Sequence, residues 1–549
     1  MKKTIFLLIF ICSSYLFADF IIPTDDPVYV FLEMLNTLKK TQINLSQYPI
    51  YYNDIINDLT RIAADEQAGI YQHLAKYHLK RIKLDFPEEN SFALSSPYKA
   101  YKSVTGLVTA DPTHKRLFTL TNPEPQKNTH YPIISETINE TNIYLSGILG
   151  YQFDFRKTEE DKEVEWHGVN RTYSYYGVES AGNFYFNFGY FFRFQKGHYC
   201  GNSSFIEENP FLTKKPDGTY FGDEQSAYQY YQNDLTIDID FKNKYLNFGF
   251  GYGSFSIGRH ISSSIILNSN VTPYGYIKYS KQFSIFTYTG LTSQLIPDRE
   301  IGLTTTNFSP SPSKAMSFQT MEIHTDLLTF GLGNSIVYGD KSLDLAYSTP
   351  LALYKIIDNK YGTQDNGFFF GYSEIRLLKG LNIFANFNFD DLRQNRFTSQ
   401  KYLSYSAYQA GLLTQHSQFP LELGLETTVA GPSIYSHNSS NTYLQDNQLL
   451  GHQHGANFLS LVSRVRFIYP RFTLSFTYEN LQQGNNYHHP SVDGGDQKFL
   501  ADKVVRKQFY KASYDLRIIS ELFLFSRCEY QILPNDKRLY LYNGAEFKY

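Results

Sequence analysis

From about residue 141 onward the chain alternates. Phe184, Phe186, Phe188, Tyr190, Phe192 and Phe194 fill successive even positions, while Tyr185, Asn187, Gly189, Arg193 and Gln195 supply a mostly polar or small odd set. Leu246, Phe248, Phe250 and Tyr252 repeat this against Asn247, Gly249, Gly251 and Gly253, and Ile383, Ala385, Phe387 and Phe389 against Asn382, Asn386, Asn388 and Asp390. Tyr514, Leu516 and Ile518 do so against Ser513, Asp515 and Arg517. The chain ends on the same pattern, with Leu539, Leu541, Ala545, Phe547 and Tyr549 on one parity and Tyr540, Tyr542, Gly544, Glu546 and Lys548 on the other. Successive side chains on a strand point to opposite faces, so one face of each strand meets an apolar medium and the other a polar interior. Repeated strands of this kind describe a transmembrane β-barrel.

Nearer the N terminus the period is helical. Asp26 can cap a helix that begins at Pro27 and carries Val28, Phe31, Leu32, Leu35 and Leu38 on one side. A second helix fits Tyr52 to Ala63, with Ile55, Ile56, Leu59 and Ile62 as its apolar face, and a third fits Asp65 to Lys83, with Ile70, Leu74, Tyr77 and Ile82. Residues 19–90 are therefore expected to form a small periplasmic bundle under or inside the barrel, with 91–140 as a linker and 141–549 as the barrel. Ahead of them Lys2 and Lys3, the apolar run from Ile5 to Ile11 and Ala18 before Asp19 read as a cleaved signal peptide over residues 1–18.

The connections between strands alternate in length, as they must when one rim carries turns and the other carries loops. Tight links fall near Asn243, Lys281, Asp326, Lys379, Gln418, Pro470 and Ser520. Longer ones cover 258–272, 294–314, 338–366, 391–403, 431–455 and 482–503. The count is about eighteen strands, and an even number places both termini in the periplasm and the long loops, 196–225 included, outside.

Composition narrows the class further. Aromatic residues make up 17% of the 549, with 47 Tyr and 45 Phe but 1 Trp, and no mature segment approaches the roughly 20 apolar residues of a spanning helix. Such a chain crosses a membrane only as closed β-structure, which satisfies its backbone internally. The formal net charge of -3 argues against nucleic acid as a partner. Cys200, placed in an outer loop, and Cys528, on a strand, form no disulfide framework or metal spacing, and their pairing is left open. No nucleotide fingerprint, nucleophile motif or cofactor motif is present.

Several blocks in order resemble the capsule assembly Wzi family of outer-membrane proteins. They are Asp26–Leu35, Gly258-Arg259 with Ile265–Asn270 and Pro273, Gly331–Gly339, Tyr347–Leu351, Asp365-Asn366 before Phe368–Gly371, and Phe384–Asp391 ending in paired aspartates. The departures are His260-Ile261-Ser262-Ser263, Asn334 and Met321-Glu322, polar stretches assigned to the lumen or mouth. The resemblance implies an eighteen-stranded barrel closed by its helical bundle and acting as a lectin-like attachment point for capsular or surface polysaccharide, without catalysis or cofactor. The last residues also resemble the signal read by the barrel-insertion machinery, at Tyr542, Gly544, Phe547 and Tyr549. Outer-membrane lipid is the other expected partner.

Arg259, Asp365, Asn366, Asp390 and Arg393 are the candidate polysaccharide contacts. Arg259 could grip an acidic sugar by a bidentate hydrogen bond, but a lumenal arginine paired with an inward carboxylate is the favoured alternative. Asp390-Asp391 could suggest paired carboxylate chemistry, yet neighbours on a strand face opposite ways, so an ion pair at the rim with Arg393 or Arg396 is preferred. His452, His454, His488 and His489 could bind a metal; solvated loop histidines are the favoured reading. Asp493-Gly494-Gly495-Asp496 reads as a turn rather than a calcium loop. Tyr220, Tyr228, Tyr230 and Tyr231 suit a sugar-stacking platform or an interfacial girdle equally. The rival functions are a general porin, a surface adhesin and a barrel enzyme, and the strand register supplies no rim Ser or His beside a carboxylate for the last.

Overall fold

The computed structural model describes residues 22, 26–45, 47–48, 50, 52–65, 68–85, 134–138, 141–160, 167–184, 188–212, 230–241, 246–297, 313–339, 343–363, 365–390, 405–416, 419–435, 441–469, 471–484, 499–500, 504–518, 522–534 and 536–548. Eighteen antiparallel strands, from Thr141–Glu160 to Asp536–Lys548, close into one barrel. The last strand pairs with the first, Asp536 beside Glu160 and Lys548 beside Ile148, so neither is left as an open edge. The expected parity is observed. Leu246, Phe248, Phe250, Ile383 and Tyr514 lie exposed on the outer wall, and Asn382, Asn386, Asn388 and Asp390 are buried in the lumen. Of the C-terminal signal, Tyr549 lies outside the described residues, as do residues 1–18.

Three strand boundaries differ from the sequence reading. The aromatic run from Phe184 to Phe194 is divided between strands His167–Phe184 and Phe188–Gly201, with Phe184 paired to Phe188 across the hairpin. A turn of odd length preserves parity, so alternation alone cannot reveal the reversal. The link expected near Lys281 lies at Ser284, which takes a left-handed φ of 58°. Within the stretch assigned as linker, Ile134–Ile138 is a short strand that pairs with the start of the first barrel strand.

Helices α1 (Pro27–Thr37), α2 (Tyr52–Ala64) and α3 (Ile70–Asp85) occupy the barrel at its tight-turn end. Asp26 caps α1 by accepting the Val28 amide at 2.7 Å. α3 begins at Ile70 rather than Asp65 because Gly69, with φ 61°, redirects the chain. The Gly380 amide, in one tight turn, donates to the Thr37 carbonyl at 2.9 Å, and the Tyr71 hydroxyl donates to the carbonyls of His416 and Phe419 beside another. Phe31, Leu32, Leu35, Ile55 and Leu59 form the bundle's core, completed by Tyr144, Ala181 and Phe191.

Two connections expected to face outside instead fold into the lumen. Residues 254–273 enter through Gly258, whose φ is 81° and where a Cβ would lie 3.0 Å from Asn386 Oδ1. Residues 431–435 and 441–457 pack over them, with the Tyr435 and Tyr443 hydroxyls each donating at 2.7 Å to the carbonyls of Ile265 and Ile266. Ile265, Leu267, Ile434, Tyr443 and Leu450 form a second core. The reason is reciprocal: these segments carry apolar side chains that favour burial, and the wall's inward amides satisfy their backbone. Asn386, Asn388 and Gln409 donate to the carbonyls of Arg259, Ile265 and Ser263 at 2.7, 2.9 and 2.9 Å.

Plug, infolded segment and wall meet at one charge cluster. Glu33 of α1 lies 2.7 Å from Arg466 and 3.3 Å from Arg259, and Glu422 lies 2.9 Å from Arg466 and 3.0 Å from Arg464. Burial opposes ionisation of Glu33, but the attraction of Arg259, Arg466 and Arg464 prevails and holds its carboxyl well below the usual range. Glu33→Ala takes the carboxylate away from Arg259 and leaves Arg466 to Glu422 alone, and a loss of about 3 kcal/mol in docking of α1 is expected. Hydrogen exchange should show α1 amides losing about a hundredfold protection while the strands keep theirs.

His78 on α3 supplies a second handle. Its ring stacks on Phe31 with centroids 4.9 Å apart, and neither ring nitrogen has a hydrogen-bond partner among the described residues. Burial, reinforced by Arg81, depresses its pKa from 6.5 to about 3. The unfolded imidazole binds a proton below 6.5 that the docked ring refuses, so stability is full above that pH and declines as pH falls towards 3, with about 2 kcal/mol lost by pH 5. His78→Phe should preserve the stack and flatten this decline in acid-induced exposure of α3, measured by limited proteolysis.

Candidate functional site

The five sequence candidates do not converge. Arg259 is buried, 4% exposed, and serves as the ion-pair partner of Glu33 at the plug, in line with the favoured alternative. Asp365 and Asn366 are adjacent at a strand start and face opposite sides of the wall. Asn366 is fully buried on the lumenal parity, and both polar atoms of its amide lack partners among the described residues. Asp365 accepts hydrogen bonds from Tyr347 and Thr363 at 2.9 Å each, outside the barrel. Asp390 is buried in the lumen opposite Phe368. Arg393, with Asp391 and Arg396, lies outside the described residues.

The histidines are placed otherwise than expected. His452 is fully buried rather than solvated, its ring 4.7 Å from Phe458 and its Nε2 3.2 Å from Ser262 Oγ. Burial drives its pKa well below 6.5. His454 Nε2 lies 2.6 Å from Glu479 Oε1. Both therefore anchor residues 441–457, and among the described residues no group of three or more His, Cys, Asp or Glu could hold a metal ion. His488, His489 and residues 493–496 lie outside the described residues. Cys200 closes a strand rather than a loop, and both it and Cys528 are free thiols.

A constellation that the sequence reading missed lines the loop-end half of the lumen. Tyr173 stacks on Tyr199 with centroids 4.3 Å apart and on Tyr175 at 5.1 Å, and Tyr540 and Tyr542 lie parallel at 6.1 Å. Arg171 pairs with Asp154 at 2.8 Å and lies 4.2 Å from the Phe205 ring centroid. Tyr175 also donates to Glu546 at 2.7 Å. Residues 202–212, with the single-turn helix α4 (Ser203–Ile206), fold over this wall as a lid. Arg171 donates to the Phe205 carbonyl at 2.6 Å, Asn209 to the Tyr199 hydroxyl at 2.7 Å and Tyr230 to Glu207 at 2.7 Å, while Arg156 pairs with Glu208. Glu529 and Lys511, 3.6 Å apart, remain partly exposed on adjoining strands.

Glycines set the tyrosines flat against the wall. Tyr175 has Gly150 on one neighbouring strand and Gly197 on the other, directly in register. A Cβ at Gly150 would meet the Tyr175 ring at 2.0 Å, and one at Gly197 the Tyr173 ring at 2.0 Å. This Gly–Tyr–Gly register was the available signal, but it requires knowing which strands are neighbours. Of the four tyrosines offered as a platform or girdle, the two described ones face opposite sides of the wall. Tyr230 bonds to the lid, Tyr231 packs near His198 and Lys196 on the other face, and Tyr220 and Tyr228 lie outside the described residues. Gly197→Ala should displace Tyr173 and cost about 1–3 kcal/mol, read as a lower denaturant midpoint of the refolded barrel. An unchanged midpoint would mean the ring can move aside freely.

No protein-family model matches the sequence, and no curated protein matches it. Solved structures do. Wzi of Escherichia coli, described as an outer-membrane protein involved in group 1 capsule assembly and a carbohydrate-binding β-barrel, superposes with a TM-score of 0.56 at 11% identity, covering 96% of this chain and 99% of its own. OccK7 and OccK3 of Pseudomonas aeruginosa cover 74% of this chain and 99% and 95% of theirs, at 8% and 10% identity and TM-scores of 0.40 and 0.41. Identity this low speaks to architecture alone: the chain is a closed eighteen-stranded transmembrane β-barrel with the fold of Wzi.

Proposed function

We propose that the protein resides in a bacterial outer membrane and attaches or assembles capsular or other surface polysaccharide there, as a lectin-like, non-catalytic barrel. On this reading residues 1–18 are removed on export, Tyr542, Gly544, Phe547 and Tyr549 present the strand end to the insertion machinery, and the loop end faces outward. The observation that carries it is the tyrosine wall at that end, with Arg171, Asp154, Glu529 and Lys511 around it. Aromatic faces can stack on sugar rings, and carboxylates and guanidiniums can hydrogen-bond hydroxyls or acidic groups. The carbohydrate binding described for Wzi supports the same reading.

The porin alternative is less favoured because α1–α3 and residues 254–273, 431–435 and 441–457 occupy the lumen, where diffusion needs an open path. An adhesin would use the same loop end on a host molecule. The deciding measurement is the partition of surface polysaccharide between cells and medium in a deletion strain and in strains complemented with the native chain or Tyr173→Ala/Tyr199→Ala. Normal synthesis with shedding in the deletion and double variant is expected. Unchanged retention would sink attachment, and bilayer conductance of the purified barrel would then test the porin reading.

A further inference from the structure

Residues 343–363 belong to the connection between strands Leu328–Gly339 and Asn366–Leu378, which was expected to form an outer loop. They fold down the outside of the barrel instead. Parity establishes the side. On strand Lys314–His324, Thr320 and Glu322 contact lumenal Tyr372, whereas Met321 is 48% exposed on the outer wall. Ala315, Ser317 and Gln319 share the parity of Met321 yet are almost fully buried, so something outside the barrel covers them.

The cover is the excursion of residues 343–363. The Leu351 amide donates to Gln319 Oε1 at 2.9 Å and lies 3.1 Å from the Tyr288 hydroxyl, and Gln319 Nε2 donates to the Ala352 carbonyl. The Thr292 hydroxyl donates to Ser348 at 3.2 Å, and the Tyr354 amide reaches outward-facing Asn334 at 3.4 Å. Ala315, Ile336, Tyr338, Tyr347 and Tyr354 make a separate apolar core between excursion and wall. Helix α5 (Tyr354–Tyr361) closes at Gly362, φ 69°, and Asp358 gathers Lys355, Thr363 and the Asp365 amide.

The face turned away from the barrel carries large apolar side chains, with Thr349 between them and Asn359 and Lys360 exposed at the end of α5, where a lysine can reach the headgroup level. Leu345 is 84% exposed, Leu351 65%, Ile356 63% and Leu353 55%. Its height is fixed by Gln319, which lies five residues from either end of Lys314–His324. Leu351 and Ala352 are thus pinned midway along the strand, within the band of roughly 25 Å that lipid surrounds in such barrels. Towards the turn end Met321, Leu332 and Ile375 expose an ordinary apolar belt, but above it Ser317, Gln319, Thr292 and Asn334 would interrupt it. The excursion covers those polar groups and presents leucine and isoleucine in their place.

We propose that residues 343–363 form a re-entrant element whose Leu345, Leu351, Leu353 and Ile356 lie among bilayer acyl chains in the leaflet at the loop end. Continuity with the exposed belt names the occupant. Backbone can sit at that depth because α5 pairs its interior groups, the Gly362 amide donates to the Asp358 carbonyl, Asn334 accepts from the Tyr354 amide, and Gln319 accepts from the Leu351 amide and donates to the Ala352 carbonyl. The idea rests on the barrel spanning a membrane and is independent of any glycan.

The test uses the full-length protein with its one tryptophan removed, Trp166→Phe, and a single new indole from Ile356→Trp or Leu345→Trp. Leu332→Trp in the belt is the reference. In phosphatidylcholine vesicles with brominated acyl chains, emission from both excursion probes should be quenched as strongly as the reference and remain insensitive to aqueous iodide. Quenching by iodide alone would place the element in water and overturn the proposal. Quenching by neither would mean that protein, such as a second copy, covers the face, and would overturn it equally.

Discussion

Two carboxylates held among three guanidiniums tie the contents of this barrel to its wall. Backbone pairing closes the cylinder without help from the lumen, but nothing in that pairing dictates what fills it. Glu33 does so by facing Arg466 on the wall and Arg259 on the infolded segment at once, with Glu422 completing the charge balance for Arg464 and Arg466. Such buried clusters contribute little net stability relative to apolar packing, because desolvation offsets attraction, yet removing one member is costly. Their effect is geometric: α1 can dock in one register only.

The same logic extends along the plug. Asn36 of α1 donates to Glu374, which also takes Asn382, and Asn44 donates to Glu322, which also takes Tyr372. Each wall carboxylate is therefore shared between a plug amide and a wall donor. The bundle turns most of its apolar residues on one another, with a few on Tyr144, Ala181 and Phe191 of the wall, and offers polar groups to the rest of the lumen, which is why a hydrophobic period of 3.6 and a lumenal face of Asn, Glu and Arg coexist in one chain.

Much of this was legible because lipid and lumen impose opposite demands on alternate residues. Strand number, wall parity, the Asp26-Pro27 helix start and the pairing of Arg259 with a carboxylate all follow from local chemistry that the structure repeats. The misplacements share one cause. Alternation reports which face a residue takes, not where the chain reverses, so Phe184 and Phe188 read as one strand. Nor does it report what lies against a face. Ile265, Ile266 and His452 looked like loop residues because groups that hold them, Asn388, Tyr435 and Tyr443 for the first two and Ser262 for the third, lie over 120 positions away in sequence. Asn334, read as lumenal from its polarity, lies on the outer wall beneath the excursion, and Met321 faces outward too, while Glu322 and His260 are indeed inside.

The candidate site was hidden for the same reason. Tyr173 and Tyr175 share a strand with outward Tyr176 and Val178, so composition does not single them out. Only lateral register does, by placing glycine on both sides of Tyr175 and so leaving room for flat rings. That geometry is rigid on the wall side and hydrogen-bonded on the lid side, where Arg171 holds Phe205 and Asn209 holds Tyr199. A lumen filled from the turn end by helices and from the side by two infolded segments leaves the loop end as the place where a long polymer could engage without threading through. On the proposed reading, binding would then depend on the lid formed by residues 202–212 parting from the tyrosines, since these rings are nearly covered while it is closed.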